Sequence, residues 1–251
     1  METKNEKRLL VLGLAFTMLA ATACGTSSDN GSKTSKADKT VTATSNDNKK
    51  TETQNNDDKD SKKEETKESY KSADDITMDD LNNHEETSAD DFEYRDKADN
   101  EAVIIEYTGD DPIVVIPNEI DGKKVVDFGK IFTNNKNIVA VKIGDNIDKI
   151  EHGAFTNCEN LKYIVLGSNV KTFEYGVVGG KKLEHIELND GLEEFGTGST
   201  TMGIALGNEI DIEIPDSVTN LCFWGAKTVI VKEGSSAESY AKENNMDYRV
   251  E

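Results

Sequence analysis

The stretch Ile138–Asn160, IVAVKIGDNIDKIEHGAFTNCEN, decides the fold, because two further copies of its pattern follow it without a gap. They read LKYIVLGSNVKTFEYGVVGGKK from Leu161 and LEHIELNDGLEEFGTG from Leu183. The period is about 23 residues, and apolar side chains recur at the first, fourth, sixth, tenth and thirteenth places of each copy. Those places hold Ile138, Val141, Ile143, Ile147, Ile150; Leu161, Ile164, Leu166, Val170, Phe173; and Leu183, Ile186, Leu188, Leu192, Phe195.

The spacing within each copy predicts a short strand followed by turns. Two apolar residues separated by one place, as in Ile164 and Leu166, point to the same face of a strand. Turn-forming residues follow at 144–146, 167–169 and 189–191. Since one coil cannot bury its inner face alone, the pattern predicts a β-rich solenoid of stacked coils with capped ends.

Two stretches resemble a known repeat family. GAFTNCENLKYIVL (153–166) and IPDSV (214–218) are similar to the BspA-type leucine-rich repeat of bacterial surface proteins. The resemblance covers roughly residues 104–231 and implies a leucine-rich repeat solenoid at the bacterial surface. The closing stretch has the family's terminal form, and Ser235 with Glu238 predicts a capping box on a short C-terminal helix.

The N-terminus predicts export and lipidation. A basic start is followed by the apolar run Leu9–Ala23 and then by Cys24, which resembles a bacterial lipoprotein processing site. Residues 1–23 are therefore interpreted as a signal peptide, with Cys24 lipid-modified and the protein anchored to the outer face of the bacterial membrane. The alternative is an ordinary signal peptide that is cleaved after Ala23.

Residues 24–95 are predicted to be a disordered tether. Between Thr26 and Asp75, Val41 is the only large aliphatic residue, and Ser, Thr, Asn, Asp, Lys and Glu predominate. From Ser72 to Tyr94 the chain has acids and no Lys or Arg, which we interpret as a solvated acidic neck and not as a calcium site. The solenoid is then assigned to 96–233 and a C-terminal cap to 234–251.

The composition and motifs exclude several classes of function. A formal net charge of −20 argues against nucleic acid as a partner. The glycine-rich stretch 196–203 lacks the Lys of a phosphate-binding loop, and no histidine has the spacing of a catalytic triad. The sequence thus predicts no enzyme, cofactor or metal. Cys158 and Cys222 are interpreted as buried thiols, with a bridge between them as the alternative.

Three functions remain open. The first is a tethered binding protein whose repeat sheet recognises an extracellular protein or glycan. The second is an accessory lipoprotein or enzyme with a site in the period-breaking insertion 196–209. The third is a passive surface spacer.

The binding hypothesis assigns a face to the partner. Strand residues that alternate with the buried ones must point outward, and they are expected to form an exposed ladder, apolar in the first coils and acidic in the last. Tyr163 is the predicted anchor. In chain order the ladder is Ile113 with Val115, Ala140 with Lys142, Tyr163 with Val165, His185 with Glu187, and Asp211 with Glu213.

Overall fold

The computed structural model describes residues 72–251. Within them the helices are α1 (Met78–Asn83) and α2 (Ser236–Glu243), with single 3₁₀ turns at Ala73–Asp75 and Ala89–Asp91. The strands are β1 (Phe92–Ala98), β2 (Glu101–Tyr107), β3 (Ile113–Val115), β4 (Glu119–Ile120), β5 (Lys123–Asp127), β6 (Ala140–Lys142), β7 (Lys149–Ile150), β8 (Tyr163–Val165), β9 (Thr172–Glu174), β10 (Gly176–Val178), β11 (His185–Glu187), β12 (Glu194–Thr197), β13 (Ile204–Glu213), β14 (Asn220–Leu221), β15 (Phe223–Val231) and β16 (Tyr248–Val250).

Two parallel sheets form the walls of the solenoid. The front sheet has the strand order β11-β8-β6-β3, and the back sheet has the order β14-β12-β9-β7. The three coils that begin at Ile138, Leu161 and Leu183 each contribute one strand to both sheets. Their strands pair in register, so that Val141 lies opposite Ile164 and Ile164 opposite Ile186. The predicted solenoid of stacked repeats is confirmed.

The interior is a column of apolar side chains between the two sheets. Its centre is a run of aromatic rings, one per coil: Phe155 to Phe173 at 6.2 Å between centroids, Phe173 to Phe195 at 5.8 Å and Phe195 to Phe223 at 5.4 Å. All four side chains are buried. Because each ring packs against rings of the neighbouring coils, burial of the core depends on stacking.

Two kinds of turn position in the coils restrict which residue type can occupy them. A Cβ on Gly167 would collide with the backbone of Gly144 one coil earlier, so a side chain does not fit there. Asn134 and Asn157, one period apart, adopt the left-handed backbone conformation with φ of 64° and 61°. Gly179, in the segment Val-Val-Gly-Gly at 177–180, takes the corresponding place in the coil that begins at Leu161, with φ of 67°, so the turn is kept there as well.

The insertion 196–209 does not remain a loop. Most of its second half belongs to β13, which pairs with β10 on one side and β15 on the other in a four-stranded side sheet, β10-β13-β15-β16. Gly196 and Gly203 both lie against the carbonyl of Cys222, where a Cβ would collide. Tight backbone packing therefore accounts for glycines at these two positions.

The C-terminal cap closes one end of the column. On α2, Tyr240 stacks on Phe223 at 5.3 Å, and its hydroxyl donates to the Phe223 carbonyl at 3.0 Å. Ser235 Oγ accepts from the backbone N–H of Glu238 at 3.1 Å, as the capping box predicts. The return bond differs, because Glu238 Oε2 accepts from the N–H of Gly234 at 2.8 Å.

The predicted boundary of the tether at residue 95 is wrong. Helix α1 and most of β1 lie inside 24–95, and β1 pairs antiparallel with β2 at the other end of the column. Two fully buried side chains, Ile76 and Leu81, give this stretch the apolar contacts that the acidic composition concealed. The rest of the predicted tether, 24–71, and Cys24 lie outside the described residues.

We expect Leu166→Ala to lower the free energy of unfolding by about 2–5 kcal/mol, because it leaves a cavity in a packed interior. Chemical denaturation measures the change. Val177→Ala is the control, since Val177 is 45% exposed and its truncation is expected to change stability by less than about 0.5 kcal/mol. Equal effects of the two substitutions would contradict the assignment of the interior.

Candidate functional site

The outward residues of the front sheet form the two rows that the sequence predicts. Across the strands, Ile113 pairs with Ala140, Ala140 with Tyr163, and Tyr163 with His185. The second row runs through Val115, Lys142, Val165 and Glu187. Asp211 and Glu213, the expected fifth pair, belong to β13 of the side sheet and are exposed.

The expectation that the apolar part of this ladder is exposed is wrong. Ile113 and Ala140 are fully buried, and Tyr163 is only 8% exposed. Val115 and Val165 are buried as well. They are covered by residues 72–91, which we call the strap.

The strap buries two apolar side chains on the front sheet. Ile76 and Leu81 have no exposed area and pack in one cluster with the outward residues and Val139, while Ala73 and Met78 are partly buried at its margin. Full burial of a side chain of this size contributes about 1.5–3 kcal/mol. Helix α1 has only six residues, too few to be stable alone, so it depends on this docking.

Sequence-local bonds determine where α1 begins. The side chain of Thr77 accepts from the N–H of Asp80, and Asp80 Oδ2 accepts from the N–H of Thr77 at 2.6 Å. The hydrogen bonds to Thr77 lower the pKa of Asp80. This reciprocal cap places Ile76 just before the helix and Leu81 within it, both directed at the sheet.

Two lysines of the solenoid hold the first part of the strap. Lys162 Nζ donates to the carbonyl of Ile76 at 3.1 Å and pairs with Glu184 Oε1 at 3.0 Å. Lys182 Nζ pairs with Asp74 Oδ1 at 2.9 Å. The hydrogen bond and charge of Lys182 lower the pKa of Asp74. The acidic beginning of the strap therefore contacts a basic corner of the solenoid, formed by Lys162 and Lys182.

Tyr163, the predicted anchor, is engaged within the protein. Its hydroxyl donates to Glu184 Oε2 at 2.5 Å, and Lys162 Nζ lies 5.3 Å from its ring centroid. Burial, followed by the bond to Glu184, raises the pKa of Tyr163 to about 12. The phenol is thus neutral and fixed beneath the strap at ordinary pH.

The second part of the strap is fixed at the far edge of the sheet. Thr87 donates its N–H to the Val115 carbonyl at 3.0 Å, and Thr87 Oγ1 accepts from the N–H of Val115 at 2.9 Å. His84 Nε2 lies 3.5 Å from Asp111 Oδ2. The hydrogen bond to Asp111 is the largest influence on His84 and raises its pKa above 6.5.

The remaining part of the predicted face is open. His185 and Glu187 are exposed on β11, and Lys142 is half-buried in the row of Val115 and Val165. The front sheet therefore has a covered apolar part and an open polar part. The sequence analysis missed this division, although the Thr77–Asp80 cap next to Ile76 was a local signal that the acidic stretch folds.

A second outward patch lies on the side sheet, and sequence reasoning missed it as well. Val177, Ala205 and Trp224 are in register on β10, β13 and β15. Val177 is 45% exposed and Trp224 is 50% exposed. Met202, 49% exposed, precedes the row in a segment with Ser199, Thr200 and Thr201. Pairing of β10 with the insertion gives Val177 this place.

The acidic groups, thiols and helices of the described region bear on its chemistry. Among residues 72–251, no group of three or more His, Cys, Asp or Glu side chains is placed to hold a metal ion. Cys158 and Cys222 are both free thiols; Cys158 is buried as expected, whereas Cys222 is only partly buried. Burial raises the pKa of Cys158 to about 12. No helix in this part of the chain is long and apolar enough to span a bilayer.

Comparison with known families agrees with the repeat geometry. The family model described as the BspA type leucine rich repeat region matches residues 128–222 in six copies. Residues 128–222 are therefore a BspA-type leucine-rich repeat region, as the resemblance in the sequence predicted. The search among curated proteins found no match.

Three solved structures are similar to the chain. A leucine-rich repeat protein of T. pallidum is 23% identical with a TM-score of 0.45, over 58% of this chain and 71% of that one. A leucine-rich cell surface protein from Faecalibacterium prausnitzii is 18% identical with a TM-score of 0.31, over 56% and 53%. A leucine-rich repeat protein from Bacteroides ovatus is 17% identical with a TM-score of 0.41, over 57% and 48%. The matches span about half the length of the last two proteins.

The His84–Asp111 pair predicts a pH dependence of the strap. Because the folded state raises the pKa of His84, the pair stabilises the docked strap below about pH 6.5, and this contribution is lost as the pH rises through the raised pKa. Asp111 and Glu85 are the charged groups that act on His84. We expect the Thr87 and Val115 amides to be better protected from hydrogen exchange at about pH 5.5 than at pH 8, by less than about tenfold.

Protection relative to the intrinsic exchange rate at each pH is the measurement. His84→Gln is expected to remove the difference, while His185→Gln, on the open part of the same sheet, should leave it unchanged. A pH dependence that persists in His84→Gln would contradict the assignment.

Proposed function

We propose that this chain is a bacterial cell-surface protein, anchored by a lipid at Cys24, that binds an extracellular protein through the front sheet. The observation that carries the proposal is the outward apolar surface of three adjacent strands, which buries a short helical segment in this structure. A passive spacer has no need of such a surface. Repeat solenoids in general provide extended binding surfaces of this kind.

The proposed binding face combines both parts of the sheet. Its apolar part is formed by Ile113, Val115, Tyr163 and Val165, and its open margin by Lys142, His185 and Glu187. An apolar centre with a charged rim is the usual anatomy of a protein interface, and tyrosine is enriched among the residues that contribute most to affinity.

The anchor and tether are proposed from the sequence. The basic start and the apolar run Leu9–Ala23 before Cys24 support processing as a lipoprotein. The polar composition of residues 25–71 supports a tether that carries the head away from the membrane. The cell-surface assignment follows from this N-terminus and from the repeat family.

Replacement of the anchoring cysteine tests the localisation. We expect Cys24→Ser to abolish metabolic labelling with a fatty-acid analogue and to release the protein into the medium, because the thiol is the proposed lipid attachment site. Cys222→Ser, which removes a free thiol from the folded region, is the control and should remain labelled and cell-associated. Unchanged labelling of Cys24→Ser would refute the anchor.

Site-specific photo-crosslinking on intact cells tests the binding face. A benzophenone side chain at Lys142, His185 or Glu187 is expected to crosslink one and the same extracellular protein. The control position is Glu243, an exposed residue of α2 in the C-terminal cap. Crosslinks that are absent, or that are equally frequent and unrelated at all four positions, would favour the passive spacer.

A second candidate function is glycan binding at the side sheet. Trp224, with Ala205 and Val177 in register beside it, presents an exposed aromatic platform, and the neighbouring insertion supplies the hydroxyls of Ser199, Thr200 and Thr201. Aromatic rings can cover the apolar face of a sugar while hydroxyls bond its rim. This gives the insertion a binding role, in place of the catalytic site that the sequence left open.

Tryptophan fluorescence tests the second candidate directly, because Trp224 is the only tryptophan in the chain. Titration with a panel of cell-surface and mucin oligosaccharides is expected to shift or quench the emission if a glycan stacks on Trp224. Met202→Ala is expected to weaken the change and Asn244→Ala, at an exposed position of the cap, to leave it intact. An emission spectrum that no oligosaccharide alters would exclude this site.

A further inference from the structure

We infer that the strap is a resident ligand of the front sheet, and that the extracellular partner binds by displacing it with an acidic amphipathic helix of its own. This inference rests on the proposed function of the front sheet. It specifies the chemistry of the partner and makes binding competitive with an intramolecular contact.

The strap shows what the apolar part of the face accepts. Its two fully buried side chains, Ile76 and Leu81, are five residues apart and straddle the start of one short helix. Exposed positions such as Asp79 and Asn82 lie on the other side of that helix. A partner segment therefore needs two aliphatic anchors at a similar spacing and a polar opposite face.

The charges around the face select for acid. The strap contains no Lys or Arg, and its acidic start meets Lys162 and Lys182 of the solenoid. The Lys162 side chain is only 8% exposed, so its charge needs the Ile76 carbonyl and Glu184 as partners. A basic helix would bring like charge to this corner, while an acidic one restores the contacts that the strap makes.

The contacts that hold the strap are of a kind that a partner helix can replace. Two completely buried side chains make its apolar contacts, and its two ion pairs, Asp74 with Lys182 and His84 with Asp111, are partly exposed. Helix α1 is too short to persist when undocked, so opening replaces an ordered segment with a free chain. Beyond the bond pair of Thr87 with Val115, Ala89 packs against the solenoid interior and the Asp91 carbonyl accepts from the N–H of Thr108 at 2.8 Å, so the strap stays attached at this end.

A tethered competitor lowers the apparent affinity of any partner. The strap runs directly into β1 at Phe92, which keeps its local concentration in the range of roughly millimolar. A partner binds only the fraction of molecules whose strap is open, so its apparent affinity falls by that fraction. Weakening the strap should therefore strengthen binding of a competing helix.

A fluorescein-labelled peptide with the sequence of residues 72–87 is the probe. It is titrated against the full chain, against the chain with Ile76→Asp and Leu81→Asp, and against a control chain with Asn82→Asp and Ser88→Asp. The control adds the same two charges at exposed strap positions, and Asp replaces Ser as an equally good helix cap.

We expect the peptide to bind the Ile76→Asp, Leu81→Asp chain at least tenfold more tightly than it binds the wild type or the control. A peptide that itself carries both substitutions should not bind. Equal binding to all three chains would overturn the inference, as would failure to bind the released chain when its melting shows an intact solenoid. Dimerisation of the wild type, without peptide binding to the released chain, would assign the face to a second copy and also overturn it.

Asp74→Lys provides a second route if the double variant does not fold. It replaces the exposed ion pair with a repulsive pair of lysines and leaves the apolar contacts in place. Because this weakens docking of the strap, peptide binding is expected to rise above the wild-type level. No rise in a folded Asp74→Lys chain would contradict the inference.

Photo-crosslinking from position 142 separates this inference from the proposed function. Partner capture that is equal in wild-type and strap-released chains would leave the function standing and refute the competition. Peptide binding without capture of any extracellular protein would leave the exchange standing and refute the proposed function.

Discussion

In-register hydrogen bonding between consecutive coils is the constraint on which the rest of this structure depends. It places Val141, Ile164 and Ile186 in one interior row and brings the phenylalanine rings of successive coils within about 6 Å of each other. A single coil has no partner for these side chains, so the coils must stack. The first and last coils of the column then need a cover. Tyr240 closes one end by stacking on Phe223, and the sheet of β1, β2, β4 and β5 lies at the other.

The same register has a consequence on the outside of the front sheet. Pairing that aligns interior residues must also align the residues between them, because side chains alternate along a strand. Three adjacent coils carry apolar residues at those positions, and the resulting surface requires a cover. The strap supplies it with Ile76 and Leu81, and it forms ion pairs with the solenoid at Lys182 and at Asp111. The covered face is in this sense a by-product of the repeat, and it is the face that we propose for recognition.

The interior could be predicted from the sequence, because its signal is local and repeated. The spacing of Ile164 and Leu166, and of the same places in neighbouring copies, specified strand, register and buried side without knowledge of the rest of the chain. The rows of outward residues were predicted for the same reason. The insertion was harder: Ile210 and Ile212 alternate as a strand requires, but their partners in β15 come only after another turn.

The cover of the front sheet could not be predicted in this way. Its two buried residues are isolated among acids, without a periodic neighbour, and they pack against strands that begin more than thirty residues later. Composition therefore favoured a tether, and the outward ladder was expected to be exposed. The Thr77–Asp80 cap was the one local signal that pointed to a helix, and it could not indicate the surface on which the helix docks.

The most direct test of this account is the chemical accessibility of Tyr163 in the intact protein. Nitration with tetranitromethane, followed by peptide mass spectrometry, compares Tyr163 with Tyr248, which is 38% exposed on β16. The account predicts that Tyr248 is modified readily and Tyr163 slowly in the full chain, and that Tyr163 becomes reactive when Ile76 and Leu81 are replaced by Asp. Modification of Tyr163 as fast as Tyr248 in the unaltered chain would show that the strap does not cover the sheet and would contradict the account.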